Sequence, residues 1–115
     1  MTGKIGEKIG ADFLIGKGYR ILNSNVETPF GEIDLVAEDR GTLVFIEVKT
    51  RRSSRFGAPE EAVGPVKQAR LSRLASWYLT HQLKKDRPAR FDVLAVDLSG
   101  EKTVFRLIQN AFEVC

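Results

Sequence analysis

The sequence has few of the residues that build disulfides and zinc sites. It contains one cysteine, Cys115, and one histidine, His81, so an intramolecular disulfide is excluded and a Cys/His zinc site has too few ligands. No apolar run approaches the roughly 20 residues needed to span a bilayer, and the N-terminal residues lack the apolar segment of a secretion signal. We therefore expect a cytoplasmic protein that does not act at a membrane.

Length and element order predict the fold class. A chain of 115 residues with 43% hydrophobic content is long enough for one domain with one core and too short for two of ordinary size. The predicted order is a helix, three strands, a second helix and two strands. This order is typical of a single α/β domain, residues 1–115, with a central mixed β-sheet flanked by helices.

Both predicted helices follow from apolar spacing. In residues 2–17, Ile5, Ile9 and Phe13 recur every four positions. The second helix, residues 65–81, starts at Pro65, a residue suited to a first helical turn. Its apolar side is predicted to hold Val66, Ala69, Leu74, Trp77 and Tyr78. We expect its two aromatic residues in the core rather than at the surface as platforms for bases.

Two strand hairpins are predicted from alternation and turn residues. In residues 32–37, the residues Ile33, Leu35 and Ala37 form the core face, which leaves Asp34 on the other face. Asp39-Arg40-Gly41 then predicts a hairpin to the third strand.

The second hairpin joins strands at residues 90–98 and 103–108. Asp92 opens the first of these strands beside Arg90, and we expect it to have a structural role in a salt bridge. The tail residues Ala111 and Phe112 are expected to dock onto the core.

The most unusual stretch is the apolar third strand, Leu-Val-Phe-Ile-Glu-Val-Lys-Thr-Arg-Arg at residues 43–52, because it carries charge. Glu47 and Lys49 lie two apart and project from the same face, with Phe45 behind them. The hairpin from the preceding strand can bring Asp34 beside Glu47. Two carboxylates and a lysine would then share one edge of the sheet.

This cluster has two interpretations. Glu47 and Lys49 can form a simple ion pair, since structural ion-pair networks also occur at buried positions. Alternatively, Asp34 and Glu47 hold a divalent cation. We favour the cation, because one lysine does not balance two buried carboxylates, whereas Mg²⁺ or Mn²⁺ prefers oxygen ligands and completes the charge balance.

The motif formed by these residues resembles that of a known family. Gly31-Glu32-Ile33-Asp34 followed by Glu47-Val48-Lys49 is similar to the split active-site signature of PD-(D/E)XK, restriction-endonuclease-like nucleases. A wider ordered set resembles the bacterial YraN family, which is similar in fold to archaeal Holliday junction resolvases. That set comprises Gly6-Glu7, Gly18-Tyr19, Asn25, residues 44–51, Phe56-Gly57 and Arg90-Phe91-Asp92-Val93.

The resemblance implies metal-dependent hydrolysis of phosphodiester bonds in nucleic acid, with DNA in repair or recombination as the expected substrate. It implies that Asp34, Glu47 and the backbone carbonyl of Val48 hold Mg²⁺ or Mn²⁺, with Glu7 of the first helix supporting the metal or its water. Lys49 would orient or deprotonate the attacking water. A junction substrate would require two active sites and therefore a homodimer.

The basic residues are concentrated in the middle of the chain. Residues 49–90 hold eleven Lys and Arg against three acidic residues, a net charge of +8, whereas the whole chain has only +3. Such a stretch next to the proposed metal site favours contact with a polyanion, although a solvated charged face would look the same. The predicted nucleic-acid-binding residues are Arg51, Arg52, Arg55, Lys67, Arg70 and Arg73.

Two alternatives to a nuclease remain open from the sequence. One is a catalytically silent nucleic-acid-binding module that acts within a larger complex. The other is a purely structural protein, which would bind polyanions weakly. The intact set of Asp34, Glu47 and Lys49 favours the nuclease, because a protein that only bound nucleic acid would not need buried carboxylates that repel phosphate.

Overall fold

The computed structural model describes residues 2–51, 64–83 and 87–113. Its elements in chain order are α1 (Thr2–Gly16), β1 (Arg20–Thr28), β2 (Gly31–Asp39), β3 (Thr42–Arg51), α2 (Pro65–Tyr78), β4 (Ala89–Asp97) and β5 (Val104–Glu113). A single π-helical turn, Leu79–Leu83, continues α2. No helix in these ranges combines the length and apolar character required to cross a membrane.

The five strands form one mixed sheet in the order β1-β2-β3-β4-β5. Only the pairing of β3 with β4 is parallel, and α2 lies on the connection between these two strands. The turn between β2 and β3 has positive φ at both Arg40 (53°) and Gly41 (87°), as tight hairpins require. The predicted α/β domain with a central mixed sheet and flanking helices is confirmed.

The core is divided between the two faces of the sheet. One cluster packs α2 against Phe45 and Val36, and the other packs α1 against Val44 and Leu35. The interpretation that β2 has a single core face is therefore wrong. Leu35, Val36 and Ala37 are all buried, because helices cover both faces of the strand.

The apolar side of α2 also differs from the prediction. The buried residues are Leu71, Leu74, Ala75 and Tyr78, whereas Val66 is 86% exposed and Ala69 is exposed. Val66 and Ala69 therefore lie outside the core that the described residues form.

The last strand is longer than predicted. It continues past Ile108 to Glu113, so Ala111 is a strand residue rather than part of a docked tail. The alternation is broken at Asn110, which has a φ of 52°, and the register with β4 shifts between Phe91 and Val93. Because this bulge interrupts the alternation of period two, the sequence pattern did not predict that the strand continues.

Gly6 allows the first turns of α1 to lie against β3. A Cβ at this position would collide with Thr50 Oγ1 and would lie 3.0 Å from Thr50 Cβ. Thr50 is β-branched and has few alternative rotamers, so its side chain cannot easily move away. The close approach of backbone to strand at Gly6 sets the position of the neighbouring residue, Glu7.

We predict that Gly6→Ala lowers the free energy of unfolding by about 1–3 kcal/mol, the usual cost of forcing extra volume into a packed contact. Alanine improves helix propensity by up to about 1 kcal/mol, which the collision with Thr50 outweighs. The matched control is Gly16→Ala in the same helix, where a Cβ would meet nothing within 4 Å. Urea unfolding of both variants checks the prediction, and equal stability of the two would contradict it.

Candidate active site

The site forms where β2 separates from β3. The two strands pair from Asp39–Thr42 as far as Leu35–Ile46. Beyond this point each strand keeps only its other neighbour, β1 for β2 and β4 for β3. The separation leaves the N–H of Val48 facing the gap, where it donates to Asp34 Oδ2 at 2.9 Å. Asp34 is therefore held in the gap by the backbone of the charged strand.

A group of three carboxylates lies on the β1 side of this gap. Glu7 of α1, Glu32 and Asp34 each place a carboxylate oxygen within 4.8 Å of the others. Asn25, oriented with its amide nitrogen toward the carboxylates, donates to Glu7 Oε1 at 2.6 Å and to Glu32 Oε1 at 3.0 Å. The positive φ of Asn25, 51°, is one that asparagine tolerates better than most residues.

Burial and mutual repulsion together raise the pKa of two members of this group, Glu7 and Asp34. Desolvation, followed by the charge of Asp34, raises the pKa of Glu7 from 4.5 to about 7. Burial likewise raises the pKa of Asp34, and the charge of Glu47 adds to this rise, while the hydrogen bond from Val48 opposes it. Ionising the whole group is therefore costly unless a cation lies among the carboxylates.

Glu47 and Lys49 lie on the other side of the gap, toward α2. Glu47 Oε1 is 2.6 Å from Lys67 Nζ and 3.5 Å from Lys49 Nζ. Burial, followed by the adjacent Lys67, lowers the pKa of Lys49. The predicted placement of Glu47 and Lys49 on one face with Phe45 behind them is confirmed, and the two charged groups form an ion pair. Glu47 is not part of the close group formed by Glu7, Glu32 and Asp34, but its charge acts on Asp34.

The residues of the gap fit a divalent cation. Glu47 Oε2 is buried and has no hydrogen-bond partner within the described part of the chain, and an unpaired buried carboxylate oxygen is costly. The side chains across the gap are carboxylates, and their oxygen atoms are the type of ligand that Mg²⁺ and Mn²⁺ prefer. Val48 directs its N–H toward Asp34, and its carbonyl points the same way because N–H and C=O of a strand residue lie on one side.

The basic residues predicted to bind nucleic acid differ in their contacts and exposure. Lys67 is engaged with Glu47, whereas Arg70 and Arg73 are exposed on α2. Arg51 ends β3 and lowers the pKa of Asp97 as a minor contributor after two hydrogen bonds from Ser99. Arg52 and Arg55 lie outside the described residues.

Sequence reasoning missed three members of the site. It assigned no place among the carboxylate ligands to Glu32, no chemistry to Asn25 and no ion pair to Lys67. The spacing of Glu32 and Asp34, two apart on a strand, was a usable signal that their side chains share a side. No local pattern connects Asn25 or Lys67 to the carboxylates, because they arrive from β1 and α2.

Comparisons with known proteins agree on one family. A family model described as "Uncharacterised protein family UPF0102" matches residues 6–96. The chain is similar to a UPF0102 protein of Syntrophus aciditrophicus, with 49% identity over 98% of this chain and 89% of the relative. It is also similar to UPF0102 proteins of Symbiobacterium thermophilum, at 52% identity over 96% and 95%, and Thermodesulfovibrio yellowstonii, at 49% over 96% and 94%.

Proposed function

This chain belongs to the uncharacterised protein family UPF0102, and from the chemistry of its site we propose that it is a metal-dependent endonuclease. It would hydrolyse phosphodiester bonds in nucleic acid, with DNA in repair or recombination as the expected substrate. The observation that carries the proposal is the buried Oε2 of Glu47, which has no hydrogen-bond partner among the described residues and lies across the gap from Asp34.

Glu7, Asp34 and Glu47 would hold Mg²⁺ or Mn²⁺ together with the carbonyl of Val48, and Glu32 lies next to them. When bound, the ion supplies electrostatic stabilisation of the phosphate and lowers the pKa of water. The hydrogen bond from Val48 fixes the orientation of Asp34, and Asn25 does the same for Glu7 and Glu32. These contacts hold the carboxylates ready, so little rearrangement is required on binding.

Lys49 is the residue that acts on the attacking water and on the charge of the transition state. Its lowered pKa makes it a better proton acceptor than an ordinary lysine at neutral pH. Its ammonium form is a compact positive charge beside Glu47, suited to stabilising additional negative charge on phosphate. Lys67 forms an ion pair with the same Glu47 carboxylate as Lys49. Its positive charge reduces the net negative charge that an approaching polyanion would meet at the site.

A nucleic-acid-binding module without catalysis is the second candidate. It is favoured by the 2.6 Å ion pair in which Lys67 already occupies Glu47 Oε1, because a lysine in that place can substitute for a cation. Such a module would bind nucleic acid with a steep dependence on salt but would not cut it.

The test is cleavage of single-stranded, duplex, flapped and four-way-junction DNA and of matching RNA, in Mg²⁺, Mn²⁺ or chelator. We expect cleavage only with the metals, and a loss on the order of 10²- to 10³-fold for Lys49→Met, as is typical when a charge-stabilising group is removed. The matched control is Lys102→Met, at an exposed position in the turn between β4 and β5. Salt-sensitive binding with no cleavage of any substrate would identify the binding module instead.

A further inference from the structure

An open cavity lies next to the candidate active site, between the β1–β2 turn and the C-terminal half of α2. Its volume is about 500 Å³, and its lining includes the rings of Phe30, Trp77 and His81 together with Arg73. A volume of this size is typical of pockets that take a small organic group. Trp77 and His81 are four residues apart on one helical segment, and the fold brings Phe30 to them from a turn that is distant in sequence.

The turn holds Phe30 in a fixed place. Thr28 Oγ1 accepts a hydrogen bond from the N–H of Phe30 at 3.0 Å and donates one to the carbonyl of Gly31 at 2.8 Å. Even so, 44% of the surface of Phe30 is exposed. A large apolar ring held on a braced turn and left open to solvent provides a surface for a ligand.

The helix side of the cavity is equally ordered. The rings of Trp77 and His81 are stacked, with centroids 4.8 Å apart and planes at 15°, and His81 Nδ1 donates to the carbonyl of Trp77 at 3.0 Å. Tyr78 is buried in the core as predicted, but Trp77 is only partly buried. The prediction that both aromatic residues belong to the core holds for Tyr78, and it holds in part for Trp77, which packs against the core cluster and also lines the cavity.

The cavity and the active site share one chain segment, because Gly31 joins Phe30 of the cavity to Glu32 of the site. Phe30 precedes Glu32 by two residues and Asp34 by four on the same chain segment. Arg70 lines the small space shared by Glu32, Asp34 and Glu47, and its Nη1 is 3.1 Å from where a Cβ on Gly31 would lie. A strand whose phosphate lies at Asp34 therefore has a neighbouring nucleotide within reach of Phe30.

We propose that this cavity is a subsite for an unpaired nucleobase of the strand whose phosphate occupies the active site. The ligand class rests on the proposed function. Stacking on aromatic rings suits every base, and Arg73 complements the phosphates, while no acidic side chain lines the cavity within the described residues. Because a base paired inside a duplex cannot enter, the subsite selects single-stranded, flapped or branched substrates.

The experiment uses the fluorescence of Trp77, the only tryptophan of the chain. The full-length protein is titrated in chelator, where no metal-dependent cleavage occurs, with short single-stranded oligothymidylate and with a duplex of the same length. We expect the single strand to quench the fluorescence. Phe30→Ala should raise the Kd for the single strand by about 5- to 150-fold, the range for losing one stacked base, and leave the Kd for the duplex unchanged.

Phe30→Leu separates stacking from simple apolar contact, because it keeps apolar bulk and removes the ring. We expect its affinity for the single strand to approach that of Phe30→Ala. A single strand that does not quench Trp77, or a Phe30→Leu variant that binds it as tightly as wild type, would overturn the subsite. Unchanged duplex affinity shows that the variants are folded.

The outcomes also separate the subsite from the nuclease. If no substrate is cut but single strands quench Trp77 and depend on Phe30, the subsite stands and the chain binds nucleic acid without cleavage. If substrates are cut and Phe30→Ala cuts single strands as fast as wild type, the nuclease stands and the subsite is overturned.

Discussion

Replacing Asp34 by asparagine is expected to lower the rate of Mg²⁺-dependent cleavage on the order of 10²- to 10³-fold, as is typical when one charged group is removed from an active site. Asparagine retains an oxygen that can accept the hydrogen bond from the Val48 N–H, now made at 2.9 Å, so the gap between β2 and β3 keeps its shape. The amide has no negative charge for a cation. The loss therefore reports the charge of Asp34 and not a collapse of the strand.

A second measurement on the same variant does not depend on cleavage. A cation that binds only the folded protein raises its thermal unfolding temperature, by an amount that grows with concentration. Mn²⁺ should therefore raise the Tm of wild type and not that of Asp34→Asn. In chelator the variant should be at least as stable as wild type at neutral pH, because burial raises the pKa of Asp34 and ionising a group of raised pKa opposes folding.

The matched control for this pair of measurements is Asp12→Asn, at an exposed position on α1. We expect it to cleave like wild type and to retain the shift of Tm in Mn²⁺. Full cleavage by Asp34→Asn, together with an unchanged Mn²⁺ effect, would remove Asp34 from the metal site.

Asp92→Ala is expected to have the largest effect on stability, a loss of about 3–5 kcal/mol in the free energy of unfolding. Asp92 is fully buried. It accepts hydrogen bonds from Tyr19 Oη at 2.7 Å, from Arg90 Nε at 3.0 Å and from the N–H of Asn110 at 2.9 Å. Removing one carboxylate leaves a guanidinium, a hydroxyl and a backbone donor short of an acceptor.

The loss is large because Arg90 cannot simply move to solvent. Its Nη2 also bonds Asp39 Oδ2 at 2.9 Å and Tyr19 Oη at 2.9 Å, and its side chain is only 20% exposed. Asp92 is the main cause of the raised pKa of Arg90. Breaking a buried pair from one side leaves the other charge uncompensated, which costs more than the pair itself contributes.

Urea unfolding in chelator checks this prediction, with Asp97→Ala on the same strand as the control. Asp97 accepts two hydrogen bonds from Ser99 at the edge of the turn, and we expect its loss to cost about 1 kcal/mol. Because native stabilities are typically about 5–15 kcal/mol, such a loss would be a large share of the total stability. If Asp92→Ala lowered the free energy of unfolding by as little as Asp97→Ala does, the hydrogen bonds and ion pair around Asp92 would not stabilise the fold.

The sequence by itself determined the elements and one half of the site. Alternation of period two placed Glu47 and Lys49 on one face with Phe45 behind them, and Arg40-Gly41 supplied the turn from β2 to β3. Pro65 marked the start of α2. These are local rules, in which side-chain direction follows from the backbone of a few neighbouring residues.

Only the tertiary structure decided which distant residues complete the site. Asn25 joins Glu7 to Glu32, and Lys67 reaches Glu47 from α2. Trp77 packs against the core on one side and lines a cavity on the other. The partners of Asp92 include Tyr19, 73 positions away. The physical reason is that periodicity reports the direction of a side chain from its own element. The groups it meets depend on how helices and strands pack, and charge pairing, burial and pKa all follow from that packing.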